Sequence, residues 1–536
     1  MELQSTYPRI RKNWVIFISL LYLALPNIIM MMAWVRPIPA CVIIIGIVVS
    51  LAYYAVTQLK AEPGKAILLT KKNAWLLLLT AILVTMPFVH DGMVGLFCTG
   101  HDYYVARQAY YSNLVDASWP VFYPDGSTMT YYNGMYLIPA VLCRLFGWYP
   151  GAGSMAAQWV LMVWLVLGVF LAFLLIFTQR RRISILLLFL CFFLGDPIYL
   201  LWRTQQGSEF ISHISEQMTA LTGVDFILNT CATTRFSIFP LYTISSCYTS
   251  NVPAILAAAM VLSIRRKRNF LLPLVIGLLL FSSPLGALAC MPFALVLYDY
   301  KKLFNMRGVF ISVIFLLLPI ALATIAAVYY GRLDVFYSQG DSSFRVTTIY
   351  SVHGLKGVLF VFLGVFIPTL LSFFPLWRMW RKAKLAVIAV VSILLVSQIV
   401  VAGVLSGLNE LWLKACLVYT FVLCVYLAYS WPYLGWGRIL PVFVMAVFVG
   451  TYIISFIKGY TGQGYVVDDC NGHLYHDRPA TLPQKTDSIR GLLYTQGGES
   501  EKLFPGNLLP KARGCDYSRP RIRPMWWYLH SDTSCD

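Results

Sequence analysis

The sequence predicts an all-α membrane protein: a polytopic helical bundle of about 13 transmembrane helices with juxtamembrane helices and a small outward-facing C-terminal module. Three observations predict it. The 536 residues are 59% hydrophobic and only 12% charged, where a soluble domain carries roughly 25% charged residues; mean hydropathy is +0.70. Apolar runs near helix-spanning length recur along the chain, and basic clusters separate alternate runs. This composition excludes a disordered chain, a disulfide-rich miniprotein and a soluble cytosolic enzyme.

A spanning helix needs about 20 mostly apolar residues, because no water in the bilayer satisfies backbone polar groups. Candidate spans are 14–35, 38–57, 74–95, 157–177, 184–202, 246–264, 269–283, 285–299, 308–330, 354–376, 385–405, 409–429 and 439–457. The first follows an Arg-rich start but is longer than a signal-peptide core and lacks a small-residue cleavage site, so it is expected to be retained. The pair at 269–299 is short for two crossings, since Ser282-Ser283-Pro284 interrupts it. Met135–Trp148 is apolar but too short to span and contains Pro139 and Arg144; it reads as a helix in or near the outer interface.

Charge tests this layout through the positive-inside rule. With the N-terminus in the cytoplasm, inner loops hold 22 of the basic residues, and outer loops before residue 458 hold seven: Arg36, Arg107, Arg144, Arg203, Arg235, Arg332 and Arg345. Much of the net charge of +18 is therefore a topology signal, and the C-terminus falls outside. Acidic residues show the opposite bias, with Asp91, Asp102, Asp116, Asp125 and Glu410 among ten outer carboxylates. That bias fits either solvation of long loops or an outward-facing site that uses carboxylates.

Residues 1–457 form the bundle, with large outer loops at 96–156, 203–245 and 331–353; residues 458–536 turn polar and form an outward-facing module or tail. Cys98, Cys231, Cys247, Cys470, Cys515 and Cys535 fall on the outer side, where disulfides can form. Cys470 with Cys515 is the preferred bridge, although pairing is not readable from sequence. The other six cysteines read as apolar packing. No metal-ligand spacing, Walker loop, dinucleotide fingerprint or nucleophile elbow occurs. No cofactor is predicted, and a divalent metal is compatible with the site but has no motif behind it. The absence of an N-x-Ser/Thr sequon fits a bacterial source, and with it the cytoplasmic (inner) membrane.

The most informative stretch is 97–147. His101-Asp102 follows the third candidate span, with Arg107 five residues on; Trp119-Pro120 and Tyr131-Tyr132-Asn133-Gly134 come after. A carboxylate beside the membrane suits glycosyl transfer from a lipid-phosphate donor, which needs a base for the acceptor hydroxyl and cations for the phosphate leaving group. Tyrosine and tryptophan offer flat faces to sugar rings. Blander readings stand beside these: Asp102 as a loop acid or helix N-cap, and the tyrosines as an aromatic belt. His90-Asp91 competes for the base role. Asp196, before Pro197, marks either a second acid or a helix-end turn.

Lys414 is the favoured phosphate ligand, with Arg203, Arg235 and Arg345 as further candidates. A lysine one turn inside its helix from Glu410 is costly unless it faces a cavity or a partner; the alternatives are an i,i+4 pair with Glu410 and snorkelling. In the tail, Arg513, Arg519, Arg521 and Arg523 precede Trp526-Trp527-Tyr528. That pattern fits an acidic or sugar-containing acceptor, lipid headgroups, or docking on the protein's own loops; outward-facing residues do not meet nucleic acid.

These features resemble the GT-C superfamily of polytopic membrane glycosyltransferases. The likeness rests on His101-Asp102 with Arg107, Trp119-Pro120, Tyr131-Tyr132-Asn133-Gly134, the short helix at 135–148, and Gly407–Lys414. One departure is that the acidic loop follows the third candidate span, where the family places it after the first. The resemblance implies an enzyme that transfers sugar from a polyprenyl-phosphate donor, with inversion at the sugar carbon, to a glycan, lipid or protein acceptor. In that reading Asp102 is catalytic, and His101, Arg107, Tyr131, Tyr132, Asn133, Arg203, Arg235, Arg345 and Lys414 bind substrate. The alternative is a transporter or a flippase for lipid-linked saccharides, without transfer chemistry.

Overall fold

Chain segments that meet no water must close their own backbone hydrogen bonds, and the apolar runs do so as helices. A computed structural model describes residues 9–59, 67–90, 132–148, 155–179, 183–194, 248–264, 270–298, 306–330, 345–351, 383–402 and 410–446, with short pieces between 111 and 119 and between 354 and 376. The 458–536 module and its cysteines lie outside the described residues, as do Cys98, Cys231 and Cys247.

Strand β1 (Arg9–Ile10) leads into helix α1 (Lys12–Trp34) and pairs antiparallel with β2 (Ile67–Leu68), just before α3 (Lys71–His90). The starts of α1 and α3 therefore share one end of the bundle. Between them runs α2 (Pro37–Tyr54), with Pro37 at its first position, where a missing N–H breaks no bond. A π-turn, Ala55–Leu59, closes it. The α2 pattern shows what the bundle faces. Ala40, Ile43, Ile47, Leu51 and Tyr54 are buried, while Ile38, Val42, Ile45 and Val49 form an exposed stripe on the other face. Apolar residues on both faces mark a helix with protein on one side and lipid on the other.

Helix α4 (Gly134–Phe146) buries Met135, Tyr136, Leu137, Ala140 and Cys143, and leaves Leu145, Phe146 and the following Trp148 exposed. Its first turn reaches Tyr22 near the middle of α1, whose hydroxyl meets the Met135 sulfur at 3.6 Å. Its last turn places Arg144 over Trp119 at 4.4 Å, and Trp119 tilts against Trp34 at the end of α1. The helix therefore runs beside α1 from near its middle to its end, its buried stripe filling the space beside α1 and α5 (Met155–Gln179). It stops at Gly147 in the left-handed region (φ 69°), a conformation glycine adopts without penalty.

Helix α6 (Ile185–Cys191) is capped by Ser184, whose Oγ accepts from the Leu187 N–H at 3.3 Å. The central helix α7 (Tyr248–Ser263) is buried at every position from Ser250 to Val261. It touches α5, α8 (Leu271–Leu279), α9 (Pro284–Leu297) and α12 (Glu410–Ser430). The 269–299 region is two short helices, of 9 and 14 residues, broken at Ser282-Ser283. Ser283 caps α9 by accepting from the Gly286 N–H. Helices α10 (Met306–Tyr330) and α11 (Lys384–Ser397) lie between α9 and α12 in the chain.

A further expectation changes in detail. The run 385–405 is not one helix: α11 ends at Ser397 and Ile399–Ala402 forms β4, paired antiparallel with β3 (Arg345–Thr348). The β-branched Ile399-Val400-Val401 favours extended backbone, and the strand inside the 331–353 loop supplies its partner. Among the described residues, four runs are long and apolar enough to cross a membrane: Lys12–Trp34, Pro37–Leu59, Trp159–Gln179 and Lys414–Tyr433. Six shorter apolar helices accompany them.

The chain is thus a helical membrane protein with several apolar helices and lipid-facing surface. Exposed Trp14, Trp75 and Trp436 lie at the end where α1 begins, and exposed Trp148 and Trp159 at the other. The 21-residue run Trp159–Gln179 covers about 30 Å at ~1.5 Å per residue, close to the hydrocarbon thickness of a bilayer. Tryptophan prefers both membrane–water boundaries.

Candidate functional site

Polar side chains inside this bundle are few, and most serve their own helix. Ser19, Thr80, Thr85 and Thr420 return hydrogen bonds to carbonyls three or four residues back. Asn27 reaches across to the Leu278 carbonyl, and one further group joins several elements at once. Where the chain enters α4, the tripeptide Tyr132-Asn133-Gly134 is held from three sides.

Lys414, one turn into α12, lies on the first side. It is 2% exposed and is the one charged side chain among the buried described residues. Its Nζ stands 3.9 Å from the centroid of the Tyr132 ring, a cation–π contact worth about 2 kcal/mol or more when desolvated. The structure therefore joins two residues that are far apart in sequence and that the sequence marked separately. The Glu410 side chain lies outside the described residues.

Tyr329, at the end of α10, is on the second side. The Asn133 Nδ2 donates to its hydroxyl at 2.7 Å, and both residues are buried. Tyr329 packs its ring 6.0 Å from that of Phe281, beside the α8–α9 break. The break itself supplies the third side: a Cβ built on Gly134 would fall 1.9 Å from Ser282 Oγ and 3.0 Å from its Cα. Only glycine allows α4 to start so close to that turn. Sequence reasoning missed Tyr329 and Ser282. The Tyr329-Tyr330 pair reads as one more belt at a helix end, and Ser282-Ser283 reads as a break; nothing in the sequence says what either faces.

The first large loop leaves three anchors among the described residues. Tyr111 donates to the Ala157 carbonyl at 3.0 Å and stacks on Tyr136. Trp119 Nε1 donates to the Leu114 carbonyl at 2.9 Å, which also receives Arg144 Nη2 at 2.6 Å. Tyr111, Leu114, Val115 and Trp119 are all buried, and Tyr111 and Trp119 pack against α4 and its neighbours. Arg144 thus joins α4 to Leu114 and Trp119.

Of the site residues marked in sequence, Tyr132, Asn133 and Lys414 come together. Arg345 lies on β3 opposite Ala402, and β4 packs on α12, which carries Lys414; the Arg345 side chain is not described. His101, Asp102, Arg107, Tyr131, Arg203 and Arg235 lie outside the described residues, as do Asp91 and Asp196. The described Cys41, Cys143, Cys191, Cys290, Cys416 and Cys424 form no disulfide, and all but Cys41 are buried.

The class this fold and site define is a polytopic helical membrane protein with a buried lysine and a fixed asparagine at the mouth of a part-buried helix. No family model, no curated protein and no solved structure matches the chain.

Proposed function

We propose that the protein is a membrane glycosyltransferase that moves a sugar from a polyprenyl-phosphate donor to a glycan, lipid or protein acceptor on the outer face of a bacterial inner membrane. The observation that carries the reading is the buried Lys414 ammonium held over Tyr132 beside Asn133. A cation kept from water attracts an anion more strongly than a surface one does, and the phosphate of such a donor is the anion that a membrane-embedded site meets. Aromatic faces at Tyr131 and Tyr132 suit a sugar ring. In this reading Asp102 takes the proton of the acceptor hydroxyl, and the acceptor oxygen attacks the sugar carbon as its bond to phosphate breaks. The polyprenyl phosphate leaves against Lys414, aided by Arg107, Arg203, Arg235 or Arg345.

Transfer of radiolabelled sugar by membranes containing the Asp102→Asn protein tests the reading. General-base catalysis contributes about 100- to 10,000-fold, and a loss of that size at normal expression is the expected outcome. Undiminished turnover removes Asp102 from the base role.

A further inference from the structure

Asn133 gives up two stabilising arrangements at once. It occupies the N-cap of α4, a position asparagine fills well, yet its side chain makes no capping bond and its backbone is helical (φ −67°, ψ −25°). Its Nδ2 is committed to Tyr329. The amide is planar, so the carbonyl oxygen is turned away from that hydroxyl. Oδ1 has no hydrogen-bond partner among the described residues, while Asn133 is only 1% exposed. Buried acceptors in folded proteins are nearly always satisfied, and one left open calls for an explanation. The neighbours narrow it. Residue 132 brings an aromatic face and, through Lys414, a positive charge; residue 134 is pressed on Ser282 and leaves no room to shift. An unpaired acceptor on the residue that directly follows an aromatic ring carrying a buried cation matches a ligand with a hydroxyl close to an anionic group.

We infer that Asn133 Oδ1 accepts a hydrogen bond from a hydroxyl of the bound sugar, and that Tyr329 is a positioning residue that holds the amide in the orientation this requires. The inference rests on the glycosyltransferase reading and adds to it a division of labour. Lys414 addresses the phosphate, and the Asn133–Tyr329 pair addresses the sugar. Tyr329 acts through Asn133.

The test uses the full chain in lipid nanodiscs and three kinds of probe: undecaprenol, undecaprenyl phosphate, and undecaprenyl-phosphoryl mannose, glucose and arabinose. Tyr329→Phe removes one oxygen. It is expected to weaken the tightest glycolipid by about 3- to 10-fold, the scale of one hydrogen bond, while affinity for undecaprenyl phosphate stays unchanged. Asn133→Ala gives the same split and is read in its place if Tyr329→Phe fails to accumulate. Equal loss on both lipids assigns Tyr329 to folding alone and overturns the inference, as does no loss on either. A wild-type protein that binds undecaprenyl phosphate but no glycolipid more tightly contradicts the hydroxyl contact while leaving the phosphate site standing. A wild-type protein that prefers neither lipid over undecaprenol removes the glycosyltransferase reading itself.

Discussion

Lys12 opens α1 at one end of the bundle, Lys414 sits one turn into α12, and the structure uses them differently. Lys12 donates to the Gln179 side chain at the end of α5 and to the Ser263 carbonyl at the end of α7. Its charge meets the C-terminal ends of two helices, where the backbone dipole favours a cation, and ties three helices at one rim. Lys414 is buried over the Tyr132 ring, and the next two residues of the chain, Asn133 and Gly134, meet Tyr329 and the α8–α9 break. The same side chain serves as a fastener in one place and as a buried charge in the other. The difference lies in where the ammonium sits: at helix-end acceptors in one case, and in the other buried against an aromatic ring.

The largest expected effect that separates the two places belongs to the Asp102→Asn transfer assay already described, since only the Lys414 site is assigned chemistry. Gly134→Ala sharpens the comparison from the structural side. Its Cβ would collide with Ser282, and overpacking of this kind costs about 1–3 kcal/mol. Thermal unfolding in detergent should show that loss, together with weaker donor binding, because α4 would be displaced from the site. A Gly134→Ala protein with wild-type stability would mean that α4 is not packed on the α8–α9 turn as described. The smallest effect is expected away from both lysines. Asn27 donates to Leu23 in its own helix and across to the Leu278 carbonyl at 2.7 Å. Hydrogen bonds between membrane helices average about 0.6 kcal/mol, so Asn27→Leu should shift the unfolding midpoint slightly and leave donor affinity untouched. A loss of affinity there would extend the site into the middle of the bundle.

Much of the fold was legible because hydrophobicity sets it locally. The runs read as 14–35, 246–264, 308–330 and 409–429 became helices Lys12–Trp34, Tyr248–Ser263, Met306–Tyr330 and Glu410–Ser430, with ends displaced by at most two residues. The interruption at Ser282-Ser283 was visible for the same reason. Tertiary pairing was not. Ile399–Ala402 reads as the tail of a helix until Arg345–Thr348, more than 50 positions earlier, offers it a strand. The course of α4 beside α1 depends on Tyr22 and Trp34, which leave no trace in the 134–146 pattern. At the site, Tyr132, Asn133 and Lys414 stood out by residue type, whereas Tyr329 and Ser282 matter only for where they lie. A buried amide and the hydroxyl that orients it come from elements 196 positions apart.

Parallel substitution of the two lysines tests the central contrast most directly. Lys12→Ala and Lys414→Ala proteins are compared for unfolding midpoint and for affinity toward undecaprenyl phosphate. Hydrogen bonds to charged groups are worth about 1.5–3 kcal/mol. Lys12→Ala should therefore lower stability on that scale with affinity unchanged, and Lys414→Ala should weaken the phosphate lipid by about 10- to 100-fold with the smaller change in stability. Two variants that lose stability alike while binding the lipid as the wild type does would contradict the account.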